Sequence, residues 1–585
     1  GIIATATIYP KWQKSGTEAT LSWDVMGYYL YLPAALIYQD ISQLQFKDTI
    51  LKKYRPTGSF YQAYAHPKTG KYVMKYPIGL ALLYLPFFAL GHLYALTSDF
   101  PPDGFSLPYQ AAISFGSMFF AFVGLWFCQQ ALRQYFANTI AGVVILLIAL
   151  STNYLNYTAV DGAMAHNWGF SLLAILLYYT IKWYEQPSYG KSILIGVCLG
   201  LAILVRPTNI LGALIPIFWG LKDYAAFQER IELFQNSWKL LLVALFSVVA
   251  IGSIQLIYWK FITDDWIFYT YNEQGFSWFK PHVKNVLISY KKGWLMYTPI
   301  MILALTGFWY LYQNFRKLFP FCLVFFLVNF YIVSAWDVWG YGGAFGQRAL
   351  IEGYTILAFP MAALLVHVQK LGWQRWLLIA FAIFCTWLNC FQTWQAHGHG
   401  FETEAMTKAY FWRIFANANP TELDRKLLDT KEDYQGERKK VEQIYWNDFE
   451  GIFEGNISTT AKAKSGKKSW LINGGIEFSP ALTIKVEARS NEWLRVGADF
   501  FLVSKEWDVW KMTQLIVEFR KGEEIIKKRV IRVQRQLSEN AWQKNWTDMK
   551  IPKIDFDTVR VYFWNPNSQK DLYIDDLTVE TYEPS

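Results

Sequence analysis

The sequence predicts a polytopic α-helical membrane body with about 10–11 transmembrane helices, followed by a soluble all-β sandwich of jelly-roll type. Three observations carry this expectation. Apolar runs close to the ~20 residues that cross a bilayer recur from residue 76 to residue 393. Only 17% of the residues are charged and 53% are hydrophobic, where a soluble domain carries about 25% charge. From residue 447 onward the apolar period changes to two, the period of a strand.

Spans are expected near 108–131, 138–157, 166–184, 192–205, 208–221, 239–260, 294–312, 318–335, 350–368 and 375–393. The apolar stretch 76–96 is read as a helix lying in or dipping into the outer leaflet. With that choice one set of short loops carries Arg133, Lys182, Lys191, Lys222, Arg230, Lys239, Arg316, Lys317, Lys370 and Arg375. The opposite loop around Asp161 has no Lys or Arg, so the basic set is cytoplasmic by the positive-inside rule. The outer face then receives residues 10–107, the Asp161 loop, Arg206, the 261–293 loop, residues 336–349 and everything after 394. That face is expected to be periplasmic or extracellular, on a bacterial inner membrane. Residues 1–9 read as the last turns of a span whose beginning is absent.

The composition excludes several classes. The net charge of +9 is dispersed among acids, with no basic block for nucleic acid. A mild positive excess suits anionic lipid. All five cysteines fall in apolar spans and read as small buried hydrophobes, not as a disulfide framework or a metal site.

The chain divides into a membrane domain, 1–395, with 10–107 as its outer loop; a helical linker, 396–446, with helical pieces at Glu402 to Ala416 and Thr421 to Tyr445; and the sandwich, 447–585. Strands are expected at Leu482–Ala488, Leu494–Leu502, Leu515–Phe519, Ile525–Val533, Val559–Trp564 and Leu572–Val579. Trp446 to Gly451 and Tyr573 to Leu577 resemble the two joined ends of jelly-roll carbohydrate-binding modules. That resemblance implies a structural calcium near those ends. Asp448, Glu450 and Asp576 could supply hard oxygen ligands, and solvated turn acids are the competing reading. Trp507, Trp510, Trp542 and Trp546 could stack on sugar rings or serve as half-buried packing residues.

Two lone acids stand out in the membrane body. Asp24 precedes the spans in Ser22-Trp23-Asp24-Val25, and Asp161 lies between two spans in Val160-Asp161-Gly162. An acid at a membrane boundary is costly unless it has a role. A carboxylate near an acceptor hydroxyl can act as general base, and Asp24 could equally cap a helix. His66 and His166 could touch an acceptor or a phosphate, or be ordinary loop histidines. Asp264, Asp265 and Glu273 could shape an acceptor site. His397-Gly398-His399-Gly400 reads as a hinge more than a metal ligand set.

The order Asp24…Tyr28-Tyr29, Lys75-Tyr76-Pro77, Asp161, Arg206-Pro207-Thr208-Asn209 and Gly342-Gly343-Ala344-Phe345-Gly346-Gln347-Arg348 resembles the GT-C superfamily of membrane glycosyltransferases. Within it the likeness is to the protein O-mannosyltransferase and aminoarabinose-transferase-like branch, over roughly residues 1–395. The resemblance implies an inverting transfer of sugar from a polyprenyl-phosphate carrier, on the outer face, to a glycan, lipid or protein acceptor. It implies Asp24 as general base and Asp161 as the second outer-loop acid that positions acceptor or base, with Tyr28 beside the acceptor. Many relatives carry an Asp-Glu pair where this chain has Asp24-Val25. A lipid phosphate leaving group calls for cations at the boundary. Arg348, in a glycine-rich stretch, comes first, then Lys291 and Lys292, then Arg206. Each competes with a snorkelling interfacial role. The rival readings are an oligosaccharide ligase or polymerase with a diphosphate-linked donor, a transporter or lipid flippase with the acids as ion-coupling groups, and a membrane anchor for a glycan-binding tail.

Overall fold

The computed structural model describes residues 1–451, 457–486, 492–506 and 508–585. It divides into two compact units, 1–398 and 399–585. The expected boundaries at 395 and 446 merge into one.

The first unit is helical and integral to the membrane. Five of its helices are long and apolar enough to cross a bilayer: Gly79–Leu96, Leu107–Leu132, Trp238–Thr263, Arg348–Val368 and Gln374–Gln395. Asn138–Ser151, Tyr189–Val205, Pro207–Phe218 and Phe319–Ala335 are shorter apolar helices. Ala165–Glu185 and Met301–Asn314 complete the bundle among the described residues.

Four expected spans differ from plain α-helices, the 350–368 span by opening in the 3₁₀ turn Arg348–Gly353. The 208–221 span is a 3₁₀ segment, Pro207–Ala213, running into a short α-helix, Leu214–Phe218. It still follows Ala165–Glu185 from end to end. Arg206 meets His166, Gly212 faces Leu173 and Leu176, and Pro216 accepts from the Tyr184 hydroxyl. A 3₁₀ turn rises about 2.0 Å per residue, which lets a short segment cover that length. The 294–312 span breaks between Trp294–Tyr297 and Met301–Asn314, at Pro299, which lacks the N–H a continuous helix needs. The 138–157 span stops at Ser151, before a separate turn at Asn156–Ala159.

Gly79–Leu96 lies along only one end of Leu107–Leu132. Phe87 packs on Gly116 and Phe119, and Gly91 faces Pro108, Tyr109 and Ala112. Its first residue touches Leu204, the end of Tyr189–Val205. This helix therefore flanks the end of the bundle that carries Asp24, Asp161, Arg206 and Arg348. Before it, a short hairpin pairs β1 (Ala63–Ala65) with β2 (Tyr72–Met74).

The second unit opens with a helix, Lys408–Ile414, and a 3₁₀ turn, Glu422–Leu428, closed by a capping box between Thr421 and Asp424. The helical reading of Thr421 to Tyr445 is corrected here: Arg438–Asn447 is strand β3, paired antiparallel with the last strand. Its Lys, Glu and Gln residues suit a helix by propensity, and edge pairing on the sheet overrides it.

The remaining strands are β4 (Ser458–Thr459), β5 (Ser469–Ile472), β6 (Leu482–Lys485), β7 (Trp493–Leu502), β8 (Gln514–Lys521), β9 (Glu524–Arg532), β10 (Trp542–Lys550), β11 (Thr558–Trp564) and β12 (Leu572–Pro584). One sheet runs β10-β7-β12-β5-β4, with β3 also on β12; the other runs β6-β11-β8-β9. Alternate residues Leu494, Val496, Ala498, Phe500 and Leu502 of β7 face Leu515, Val517, Phe519, Val559, Val561 and Phe563 across one core. In β12 an irregularity between Asp575 and Thr578 shifts the register. Both Leu572 and Ile574 before it, and Leu577 and Val579 after it, thereby reach the same core. Glu487 and Ala488, expected to end a strand, lie outside the described residues, as does Trp507.

Candidate functional site

The site is built from segments far apart in sequence. Helix Trp23–Tyr29 begins with Trp23 at φ +47°, a left-handed conformation unusual for a bulky residue. Two hydrogen bonds hold it: Trp23 N donates to Pro56 O at 3.0 Å, and Gln62 Nε2 donates to Trp23 O at 3.1 Å. Strain of this kind persists where surrounding structure over-determines it, often at functional sites.

The next residue is Asp24. Its Oδ1 accepts from the Tyr76 hydroxyl at 2.7 Å and the Tyr61 hydroxyl at 3.0 Å. Its Oδ2 accepts from Arg348 Nη2 at 2.8 Å. The carboxylate thus spends its hydrogen bonds on side chains and does not cap its helix. Burial alone would push its pKa up. The Arg348 guanidinium and the two tyrosine hydroxyls outweigh burial and hold it below the usual carboxylate value. Gly27 permits this packing, since a Cβ there would meet the Tyr76 ring at 2.4 Å.

Arg348 opens the 3₁₀ turn Arg348–Gly353. Gly346 precedes it at φ +61°, tight against Tyr297. The loop before it is pinned. Lys292 Nζ donates to Ala344 O at 2.5 Å, Tyr157 accepts from Phe345 N at 3.1 Å, and Gln347 Nε2 donates to Trp339 O at 3.1 Å. Arg348 Nε is buried and has no hydrogen-bond partner.

Lys75 completes this half. Its ammonium lies 5.1, 5.7 and 5.6 Å from the ring centroids of Tyr61, Tyr76 and Tyr271. Among the described residues no carboxylate forms an ion pair with it. Burial lowers its pKa, and the Asp24 charge opposes that.

A second cluster adjoins the first. Glu352 Oε1 accepts from Arg206 Nη1 at 2.7 Å and lies 3.1 Å from His166 Nδ1, which is also 3.1 Å from Arg206 Nη1. A ring nitrogen cannot both donate to the carboxylate and accept from the guanidinium, so one of these contacts is always mismatched. Glu352 Oε2 is buried and unpartnered. Tyr341 flanks the Arg206 guanidinium at 5.8 Å. Tyr28, tilted against Tyr76 with ring centroids 4.5 Å apart, feels Asp24, Arg206 and Arg348 together and so bridges the two clusters.

Asp161 sits at the same end of the bundle in a separate network. It pairs with Lys11 and accepts from Asn156 Nδ2 at 2.9 Å, and Asn156 in turn meets His397 Nε2 at 2.6 Å. Burial pushes its carboxyl up, but the charges of Lys11 and His397 prevail and bring it to about 2. Asp24 and Asp161 therefore do not share a hydrogen-bond network.

The other expected residues are dispersed. His66 is buried at the hairpin turn, against Thr69 and Phe268, beyond the far end of the hairpin from Asp24. Lys291 lies over Trp339 at 5.5 Å, while the buried Lys292 braces the Arg348 loop. Asp264, Asp265 and Glu273 are exposed.

In the sandwich, Glu450 Oε1 accepts from the backbone N–H groups of Lys467 and Lys468. Asp448 accepts from Glu450 N at 3.2 Å, and Asp576 from Ser465 Oγ at 2.8 Å. These acids face donors, and among the described residues no three His, Cys, Asp or Glu gather as a metal site. Lys426 and Arg495 lie over the Trp546 ring, 3.4 and 4.6 Å from its centroid, so cations already cover it. Trp510 is 78% exposed. Trp542 is half-buried against Phe501.

Sequence reasoning did not single out Glu352, Lys75, Tyr61, Tyr76 or Lys11 as site residues. Glu352 was findable by the rule that picked Asp24 and Asp161, being the lone acid of an apolar span. Lys75 and Tyr76 stood in the motif Lys75-Tyr76-Pro77 without a role, and Tyr61 gave no signal among 37 tyrosines.

No family model matches the sequence, and no curated protein does. Solved structures do. The archaeal oligosaccharyltransferase AglB from Archaeoglobus fulgidus, in complex with an inhibitory peptide and a dolichol-phosphate, aligns with 71% of this chain and 57% of its own, at 13% identity and TM-score 0.40. The chain thus spans less than two thirds of that enzyme's length. ArnT from Cupriavidus metallidurans aligns over 71% of this chain and 67% of its own, at 14% identity and TM-score 0.41. A family 16 carbohydrate-binding module covers 21% of this chain and 82% of its own, at 19% identity and TM-score 0.17. Similarity this distant fixes no function, and the case for one rests on the side chains above.

Proposed function

We propose that this chain is a membrane glycosyltransferase that moves a sugar from a polyprenyl-phosphate carrier to an acceptor hydroxyl, with inversion at the anomeric carbon. The observation that supports it is the convergence of one ion-paired carboxylate, Asp24, placed by the strained Trp23 before it, with an arginine and an uncompensated lysine at one end of a membrane bundle.

The chemistry follows from the residues. Asp24 accepts the proton of the acceptor hydroxyl as its oxygen attacks the anomeric carbon. The bond from that carbon to the phosphate oxygen breaks, and its electron pair leaves with the phosphate. Arg348 and Lys75 stabilise the departing anion. Tyr61 and Tyr76 fix the carboxylate, and Tyr28 and Tyr271 pack on Tyr76 beside it. Arg206, His166 and Glu352 line the adjoining cluster and hold the sugar or acceptor. Asp161, clasped by Lys11, braces the loop beside Tyr157, so its role is positional. The acceptor is a glycan, lipid or protein, and the site faces the periplasmic side of a bacterial inner membrane. The sandwich holds acceptor glycan, with the exposed Trp510 as its aromatic surface.

The experiment is transfer from a radiolabelled panel of polyprenyl-phosphate and polyprenyl-diphosphate sugars in membranes carrying the full chain. Consumption of a monophosphate donor, lost in Asp24→Asn, supports the reading. Use of diphosphate donors only would replace it with a ligase. No donor consumption would return the acids to an ion-coupled transporter.

A further inference from the structure

Asp24 is masked as the structure stands. Oδ2 is held by Arg348 at 2.8 Å, and Oδ1 by two tyrosine hydroxyls. An ion-paired carboxylate is a weaker base than a free one. The groups facing it are Arg348, Tyr76, Tyr61, Tyr28, Tyr271 and Lys75, so no second acid nearby raises its proton affinity. Something must remove the guanidinium before the carboxylate can serve a weak nucleophile.

Arg348 is arranged to be removed. It gives Asp24 a single Nη2 contact, and its Nε–H is buried and unused. A phosphate can engage two guanidinium N–H groups at once, a stronger arrangement than one contact. The charges also fit. Arg348 and Lys75 against Asp24 leave one positive charge uncompensated. A phosphodiester carries one negative charge and makes this half of the site neutral. The other arginine differs: Arg206 is engaged by Glu352 and His166 together.

We infer that Arg348 is a latch on the base: the phosphate of the lipid donor draws the guanidinium away from Asp24 Oδ2, so that the carboxylate becomes competent only after the donor is bound. This rests on the glycosyl-transfer reading above. It makes the reaction ordered, donor before acceptor, and keeps the empty site from polarising acceptor or water. No covalent step is added. The guanidinium exchanges one anionic partner for another, and returns when the lipid phosphate leaves.

The test is a structure of the full chain in nanodiscs with decaprenyl phosphate alone. The inference expects the phosphate within hydrogen-bond distance of Arg348, and the Nη2–Oδ2 separation opened from 2.8 Å to beyond the ~4 Å limit of an ion pair. A phosphate bound at Arg348 or Lys75 with the Asp24 pair still closed overturns the latch and leaves the transfer reading standing. A site that takes no phosphate overturns both. Kinetics with the active donor give a second readout. The acid limb of kcat, from the donor complex, should lie about one pH unit above that of kcat/KM for the donor, from the masked enzyme. Coincident limbs contradict the latch even where transfer is robust.

Discussion

Both units bury ion pairs, and they bury them differently. In the sandwich, Asp429 Oδ1 accepts from Arg532 and Arg535 at 2.6 and 2.9 Å, and its Oδ2 accepts from Arg532 N at 2.9 Å. Asp548 takes Arg495 with both oxygens, at 2.7 and 2.9 Å, and adds Tyr582 and the Tyr434 N–H. Every oxygen of these two acids is used. In the helical unit Arg348 Nε and Glu352 Oε2 are buried without partners, and Lys75 has only aromatic rings. A buried charge that is incompletely paired is expensive. The second unit also buries Lys426 Nζ and Arg520 Nε without partners, so the saturated pairs read as stitching, and it is the gathering of Arg348, Glu352 and Lys75 at one place that reads as a site kept open for a ligand.

The sharpest way to break this contrast is to remove an acid from each side. Asp24→Asn should cost about 10²–10⁴ in transfer rate, the usual contribution of a positioned base, while leaving the protein folded by size-exclusion chromatography. Asp429→Ala should instead destabilise the sandwich by about 3–5 kcal/mol, because it strands two guanidinium groups, with little direct effect on transfer by the folded fraction. A large stability loss in the first, or a large catalytic loss in the second, would erase the distinction.

Next in size is Arg348→Ala, expected to lower kcat about 10²–10³-fold, as loss of a preorganised donor to a developing anion does. Lys75→Met should act more on donor KM, by roughly tenfold, since it removes one charge from the anion site and keeps the aliphatic stem in the tyrosine cage.

Titration separates the units again. Asp24 and Asp161 have folded-state pKa values below the ordinary ones, Asp161 at about 2. Folding thus binds fewer protons, and their stabilisation is present above about pH 4 and lost as pH falls toward 2. Lys426 also releases protons on folding, but for the opposite reason, because its charged form is disfavoured. Burial beside Trp546 brings it down to about 7, so the unfolded chain holds more protons between about pH 7 and pH 10, and stability of the sandwich should rise across that window. Lys426→Met, keeping the stem over Trp546, should raise the thermal midpoint at pH 7 by a few degrees and flatten that rise. This is the smallest effect expected.

Much of the fold was legible because its signals are local. Apolar runs marked the spans and alternation marked β7, β8, β11 and β12. The misreadings came where tertiary context outvoted local pattern. Arg438–Asn447 is helix-prone in composition yet joins a sheet edge, and Pro207–Phe218 crosses in a tighter helix than apolar content alone reveals. For the site, lone charges in apolar surroundings were readable, which found Asp24, Asp161, Arg206 and Arg348. Their pairing was not, since Asp24 meets Arg348 across 324 residues. Nor could sequence show that Asp161 is tied to Lys11, or that Trp546 is covered, because both depend on which distant chain segment arrives.

The most direct measurement is sugar transfer by purified full chain in nanodiscs, supplied with the polyprenyl-phosphate sugar panel, for wild type and Asp24→Asn. The account expects transfer by wild type from a monophosphate-linked donor and at least a hundredfold less by a folded Asp24→Asn. Equal transfer by the two proteins would contradict it.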